Sequence, residues 1–165
     1  MSYNIAILMQ NLIKQLHTRL LKAASTIATA ESCTAGLLSS LLTRLSGSSR
    51  YFILGVVTYS NKAKTKVLGI PASTIRQYGA VSKEAALLMA KNVRKLARVD
   101  VGVSITGIAG PTGGSLRKPI GTIFIALSSK NKTTCKKFTF KGNRGVIRKQ
   151  ASLKALELLN KSLRS

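Results

Sequence analysis

The residues best placed to do chemistry begin with Ala30-Glu31-Ser32-Cys33-Thr34-Ala35-Gly36. This segment runs from strand-like sequence into helical period, and a helix start offers free backbone N–H groups and a positive dipole end. A hydroxyl there can attack a carbonyl carbon while the N–H groups hold the oxyanion. Taken alone, the segment reads more plainly as a helix cap, with Ser32 or Thr34 as the capping residue. Cys33 is a rival nucleophile, but His17 is the chain's one histidine and belongs to the opening helix. A Cys–His pair would need that distant residue to arrive by accident.

With histidine scarce, a serine nucleophile needs another base, and lysine serves when desolvation or a neighbouring cation lowers its pKa. Thr58-Tyr59-Ser60-Asn61-Lys62-Ala63-Lys64 offers two lysines beside a tyrosine. Such a tyrosine can relay a proton or orient the lysine; the plainer reading is exposed lysines at a helix start. A third stretch, Ser104 to Gly114, is dominated by small residues, which let backbone approach a ligand closely. It resembles a phosphate cradle in kind and is equally an ordinary crossover loop. Neither G-x-x-x-x-G-K-[ST] nor G-x-G-x-x-G fits it, so nucleoside triphosphate and dinucleotide binding are not supported. Ser115 to Lys118 matches S-x-x-K, yet in a Gly/Pro loop no helical turn brings the two side chains together.

The elements that must position these residues follow from periodicity. Ile5, Leu8, Met9, Leu12, Ile13, Leu16 and Leu20 predict an amphipathic helix over 3–22, and Thr26 to Ala30 a short strand. A helix is expected over 34–46, a strand over 51–58, a helix over 62–68 and a further turn over 73–78. Ser82 should cap a longer helix with Ala85, Ala86, Met89, Val93 and Leu96 on one face. Val101 to Thr106 reads as a buried strand, Ile120 to Ser128 and Thr133 to Phe140 as a hairpin, and 144–163 as a closing helix. Helices interleaved with strands, without repeat or linker, predict one domain over residues 1–165. Its expected class is α/β, a three-layer α/β/α sandwich with a mixed, mostly parallel sheet. Ligands in such sheets sit outside the carboxyl ends of strands. That makes 31–36, 59–64 and 107–114 walls of one crevice.

Composition narrows the class. Hydrophobic residues make up 45% of the chain, which excludes disorder despite 27 Lys+Arg against 4 Asp+Glu, a formal net charge of +23. Two cysteines, Cys33 and Cys135, without C-x-x-C, do not make a structural zinc site. A reduced, cytoplasmic protein is expected, with no metal and no cofactor. No apolar run reaches the roughly 18 residues of a membrane span, so no membrane partner is expected. The charge is a usual footprint of nucleic-acid binding. Its densest stretch, Lys130 to Lys149, interleaves with Phe138 and Phe140. That stretch reads as a basic face with stacking rings, or more plainly as a solvated surface with both rings on the core side of a strand.

Taken together, these residues resemble the CinA C-terminal domain family, the nicotinamide-nucleotide amidohydrolases. The resemblance covers about residues 8–160. It rests on Thr29 to Thr34, Val57 to Asn61 with Lys64, Tyr78 to Ser82, Ser104 to Gly114, Lys118-Pro119 with Gly121-Thr122, and Gly142 with Arg144. It implies an α/β/α fold and metal-independent deamidation of nicotinamide mononucleotide to nicotinate mononucleotide and ammonia, in pyridine nucleotide salvage. Carried over, the nucleophile falls on Ser32, the general base on Lys64 rather than Lys62, with Tyr59 beside them. Thr34, Thr106, Gly107, Gly110, Gly113 and Arg144 are the substrate-binding expectations, the loop and Arg144 for the phosphate. Backbone N–H groups near Cys33 and Thr34 are expected to form the oxyanion hole. The chain departs from the family pattern at Ala35, where a second glycine is expected, and at Asn143, where an acidic residue is common. The alternative expectation is a CinA-fold domain with little or no turnover that binds nucleotide or nucleic acid. A homo-oligomer is compatible with either, and no feature specifies its interface.

Overall fold

The computed structural model describes residues 2–163, with side-chain detail from residue 7 onward. Ile5 of the opening helix therefore lies outside the side chains described. The elements run α1 (Ser2–Lys22), β1 (Ile27–Glu31), α2 (Leu37–Leu42), a 3-10 turn (Ser48–Arg50), β2 (Phe52–Val57), α3 (Asn61–Leu68) and α4 (Ala72–Tyr78). Then come α5 (Lys83–Ala97), β3 (Val101–Gly107), β4 (Thr122–Ser128), β5 (Thr133–Thr139) and α6 (Arg144–Ser162). Ser82 caps α5 as expected, its hydroxyl accepting from the Ala85 N–H at 3.1 Å.

The sheet order is β2-β1-β3-β4-β5. β1 pairs parallel with β2 and β3, β4 is antiparallel to β3, and β5 is antiparallel to β4. All strands but β4 thus point the same way, as a mixed, mostly parallel sheet requires. Strand alternation sorts the two faces. Ile27 of β1, Val101, Val103 and Ile105 of β3, and Ile123 and Ile125 of β4 join a core with Leu16 and Leu20 of α1, Leu38 of α2, and Leu156 and Leu159 of α6. Ala28 and Ala30 face the other way, against Leu68, Ile70, Met89 and Val93. Small residues dominate under α5 because the helix lies close: a Cβ on Gly102 would stand 2.1 Å from the Ala90 carbonyl oxygen. Among the described residues, no helix is long and apolar enough to cross a membrane.

The expected helix over 34–46 is shorter. Ala35 at φ 50 and Gly36 at φ 89 take left-handed conformations, which an α-helix cannot include, so α2 begins only at Leu37. Neither Ser32 nor Thr34 caps it; Gly36 holds the cap position without a side-chain bond. The left-handed φ of Ala35 also explains why glycine suits that position. Asn143 caps α6, its side chain accepting from the Val146 N–H at 3.0 Å, and this is work an aspartate would do equally well. Phe138 and Phe140 stack on each other at 5.7 Å and pack against the core. The plainer reading of the Lys130 to Lys149 stretch is therefore correct for its two rings.

Candidate active site

Parallel pairing brings the carboxyl ends of β1, β2 and β3 to one edge. Glu31 lies opposite both Val57 and Ile105. The chain stays tied just beyond the strands: the Ser32 N–H donates to the Ile105 carbonyl at 3.0 Å and the Thr58 N–H to the Glu31 carbonyl at 2.9 Å. Ser32 thereby starts beside the entry to α3. Ser60 caps that helix by accepting from the Ala63 N–H, which sets its phase. Lys64 and Leu68, four apart, turn inward, while Lys62 and Lys66 stay in solvent.

The Lys64 side chain is only 1% exposed. Its Nζ lies 3.0 Å from Ser32 Oγ, 2.7 Å from the Thr58 carbonyl oxygen and 3.4 Å from the Tyr59 carbonyl oxygen. Burial holds its pKa below that of an ordinary lysine. A neutral amine has two N–H donors and one lone pair. The two carbonyls match the donors, which leaves the lone pair for the Ser32 hydroxyl proton. Cys33 differs: burial pushes its thiol up to about 12, so it stays protonated and weakly nucleophilic near neutrality.

A cleft of about 290 Å³ opens over Ser32, lined by Cys33, Tyr59, Ala80, Val81, Thr106, the loop from Gly107 to Gly110, Thr112, Gly113 and Arg144. Thr106 donates its hydroxyl to the Ala80 carbonyl at 2.8 Å, which ties β3 to the segment before α5. Gly107 is needed where β3 meets β4, since a Cβ there would stand 2.6 Å from the Thr122 carbonyl oxygen. Arg144, the first residue of α6, spans the mouth. Its Nη1 donates to the Gly110 carbonyl at 2.7 Å and its Nη2 to the Tyr59 hydroxyl at 2.8 Å. Two of the five guanidinium N–H donors are thereby engaged. Among the described residues, no three His, Cys, Asp or Glu side chains are grouped so as to hold a metal ion.

Two expectations change. The Tyr59 phenol does not reach Lys64; it is 56% exposed and meets Arg144, because at the start of α3 the Tyr59 backbone carbonyl, not the ring, turns toward the amine. Thr34 does not line the cleft: it is fully buried and its Oγ1 has no hydrogen-bond partner. The turn at 32–36 tucks that side chain inward and presents the Thr34 carbonyl to Arg148, which donates from Nη2 at 2.7 Å and Nε at 3.2 Å. Ser115 and Lys118 form no dyad; the Lys118 amine donates instead to the Tyr78 carbonyl.

Sequence reasoning placed Glu31 in the crevice wall without giving it a role, and missed Arg148. Glu31 is wholly buried, and an acidic residue closing an otherwise uncharged strand was the available signal, because a buried carboxylate needs a full set of donors. Nothing local marks Arg148, whose partner is 114 residues away.

Known proteins match this chain along most of its length. A protein of Caldanaerobacter subterraneus subsp. tengcongensis, named provisionally as a competence-damage inducible protein, is 51% identical over 142 residues, 86% of this chain and 34% of its own. A CinA-like protein of Thermotoga neapolitana is 45% identical over 153 residues, 92% of this chain and 37% of its own. The chain thus spans about a third of the length of these curated relatives. The crystal structure of the competence/damage inducible protein CihA from Agrobacterium tumefaciens superposes with a TM-score of 0.92 at 36% identity, covering 96% of each chain. The CinA C-terminal domain model matches residues 9–163. With the family model matched over nearly the whole chain and fold and sequence in agreement, the chain belongs to the CinA C-terminal domain family.

Proposed function

We propose that this protein is a nicotinamide-nucleotide amidohydrolase that uses Ser32 as nucleophile and Lys64 as general base. The observation that carries this reading is the 3.0 Å approach of a buried lysine amine to the Ser32 hydroxyl at the floor of a cleft. Ser32 Oγ attacks the carboxamide carbon of nicotinamide mononucleotide while Lys64 Nζ takes its proton. The positively charged pyridinium ring draws electrons from that carbon and favours attack. Collapse of the tetrahedral intermediate breaks the C–N bond, and the Lys64 proton leaves with ammonia. Lys64 then takes a proton from water, whose oxygen attacks the ester. Nicotinate mononucleotide departs as Ser32 recovers its proton.

The oxyanion needs N–H donors. In the turn after β1, the N–H groups of Ala35 and Leu37 are bonded to backbone, and those of Gly36, Leu38 and Ser39 to Glu31. The Cys33 N–H has no such partner among the described residues, and Cys33 lines the cleft, so this group is assigned to the oxyanion; Thr34, wholly buried, is not. Arg144 retains free donors for the phosphate at the mouth, beside Gly110 and Gly113. The test is ammonia and nicotinate mononucleotide formation from nicotinamide mononucleotide by the purified protein, with and without chelator. Turnover that survives chelation and disappears in Ser32→Ala supports the reading. Absence of turnover in the folded wild type overturns it.

A second reading rests on charge. Of the four acidic residues, Glu31 is buried, Asp100 is engaged by the Thr26 N–H and hydroxyl, and Glu157 pairs with Lys154. That is the one ion pair among the described residues, so nearly all the positive charge is left to solvent. A sequence-independent nucleic-acid contact fits this surface. Its binding should weaken steeply with salt, with log affinity falling about 0.9 per log salt for each phosphate neutralised; a flat salt dependence removes this reading.

A further inference from the structure

Glu31 ends β1, one residue before Ser32, and is wholly buried. Its Oε2 accepts from the N–H groups of Gly36 and Leu38, each at 3.1 Å. Its Oε1 accepts from the Ser39 N–H at 2.8 Å and the Ser39 hydroxyl at 2.6 Å. Among the described residues no lysine or arginine is within ion-pair distance, so the carboxylate is met there by N–H and O–H donors alone. The residues between, 32–36, must turn back sharply, and Ala35 and Gly36 do so in left-handed conformations.

That turn decides where the N–H groups beside the nucleophile point. The Ala35 N–H donates to the Ser32 carbonyl at 3.1 Å. This fixes the Ser32–Cys33 peptide plane, whose N–H stands opposite its carbonyl. From outside, Arg148 grips the Thr34 carbonyl through two donors. Capping a helix of only six residues, Leu37–Leu42, does not by itself call for a fully buried carboxylate, since a surface Ser or Asp would suffice. We infer that Glu31 is a positioning residue for acyl transfer at Ser32: by holding the start of α2 it folds the 32–36 turn so that the Cys33 N–H faces the cleft and receives the oxyanion. The inference rests on the serine amidohydrolase reading above.

The test is Glu31→Gln, which keeps side-chain shape but sets an amide NH2 against backbone N–H donors. With nicotinamide mononucleotide, kcat should fall about 100-fold, the loss expected of a displaced oxyanion donor. KM should stay within about threefold, and the acid limb of the kcat profile, which reports Lys64, should not move. Glu31→Asp, which keeps the carboxylate, should recover part of the rate. If Glu31→Gln does not fold, Ser39→Ala removes one of the four donors and should lower kcat about fivefold at unchanged KM. Folded Glu31→Gln or Ser39→Ala protein with wild-type kcat, however lowered its melting temperature, overturns the inference and leaves Glu31 a helix cap. Wild-type protein without turnover overturns the underlying reading instead, so the two failures are distinct.

Discussion

Replacing Lys64 by Met keeps nearly the same side-chain length and removes the amine that lies 3.0 Å from Ser32 Oγ and 2.7 Å from the Thr58 carbonyl. Two consequences separate. The chemical one is loss of the general base, worth about 10²- to 10⁴-fold in kcat, because Ser32 then has no acceptor for its proton. The thermodynamic one concerns pH. Burial lowers the folded-state pKa of Lys64, whereas the unfolded chain titrates near an ordinary lysine value of about 10.4. Between the lowered folded value and that unfolded value, the unfolded state binds more protons, so wild-type stability rises with pH in that window, by at most about 1.4 kcal/mol per pH unit. Below the folded pKa the burial penalty is present in full. Lys64→Met has no amine to desolvate and should lack this slope, although the Thr58 carbonyl loses a donor at a pH-independent cost of about 1 kcal/mol. Denaturant midpoints from pH 6 to 10, with ammonia release at each pH, measure both. A variant retaining a tenth or more of wild-type kcat, or a wild type and variant with parallel stability profiles, would refute the assignment of a neutral buried amine acting as base.

Arg144→Met should raise KM for nicotinamide mononucleotide about ten- to a hundredfold, the scale of a lost charged hydrogen bond, and should change turnover of the phosphate-free riboside much less. Equal losses on both substrates would assign Arg144 to cleft shape, through its bonds to Gly110 and Tyr59. Gly121→Ala should destabilise the fold by more than about 3 kcal/mol, read as a lowered denaturant midpoint. Its φ is +90° and a Cβ would stand 1.9 Å from the Phe140 carbonyl oxygen; a midpoint within error of wild type contradicts that packing.

Much of the architecture was legible because it depends on local pattern. The 3.6-residue spacing of Ile13, Leu16 and Leu20, the capping hydroxyl of Ser82 and the β-branched run of β3 each act over a few residues of chain, and the structure places them as expected. Lys64 was separated from Lys62 only by the family resemblance; the helical phase of α3, which turns Lys64 and Leu68 inward together, is what the structure adds. The length of α2 was misjudged at both ends: left-handed backbone at Ala35 and Gly36 delays its start to Leu37, and Leu45 continues the leucine period beyond the last helical residue, Leu42. Periodicity reports which face is apolar, not whether each φ is helical.

Tertiary structure alone decided how the candidate residues meet. Ser32 and Lys64 are 32 positions apart, and nothing local sets their distance; parallel pairing of β1 with β2 does, by bringing both carboxyl ends to one edge. The same pairing turns the Tyr59 carbonyl toward Lys64 while its ring goes to the mouth. Thr34 and Glu31 look polar and accessible in sequence and are wholly buried, because α2 and α6 close over them. Residue type declares which chemistry a side chain can perform; its proton state and its partners come from the burial and neighbours that only the packed chain supplies.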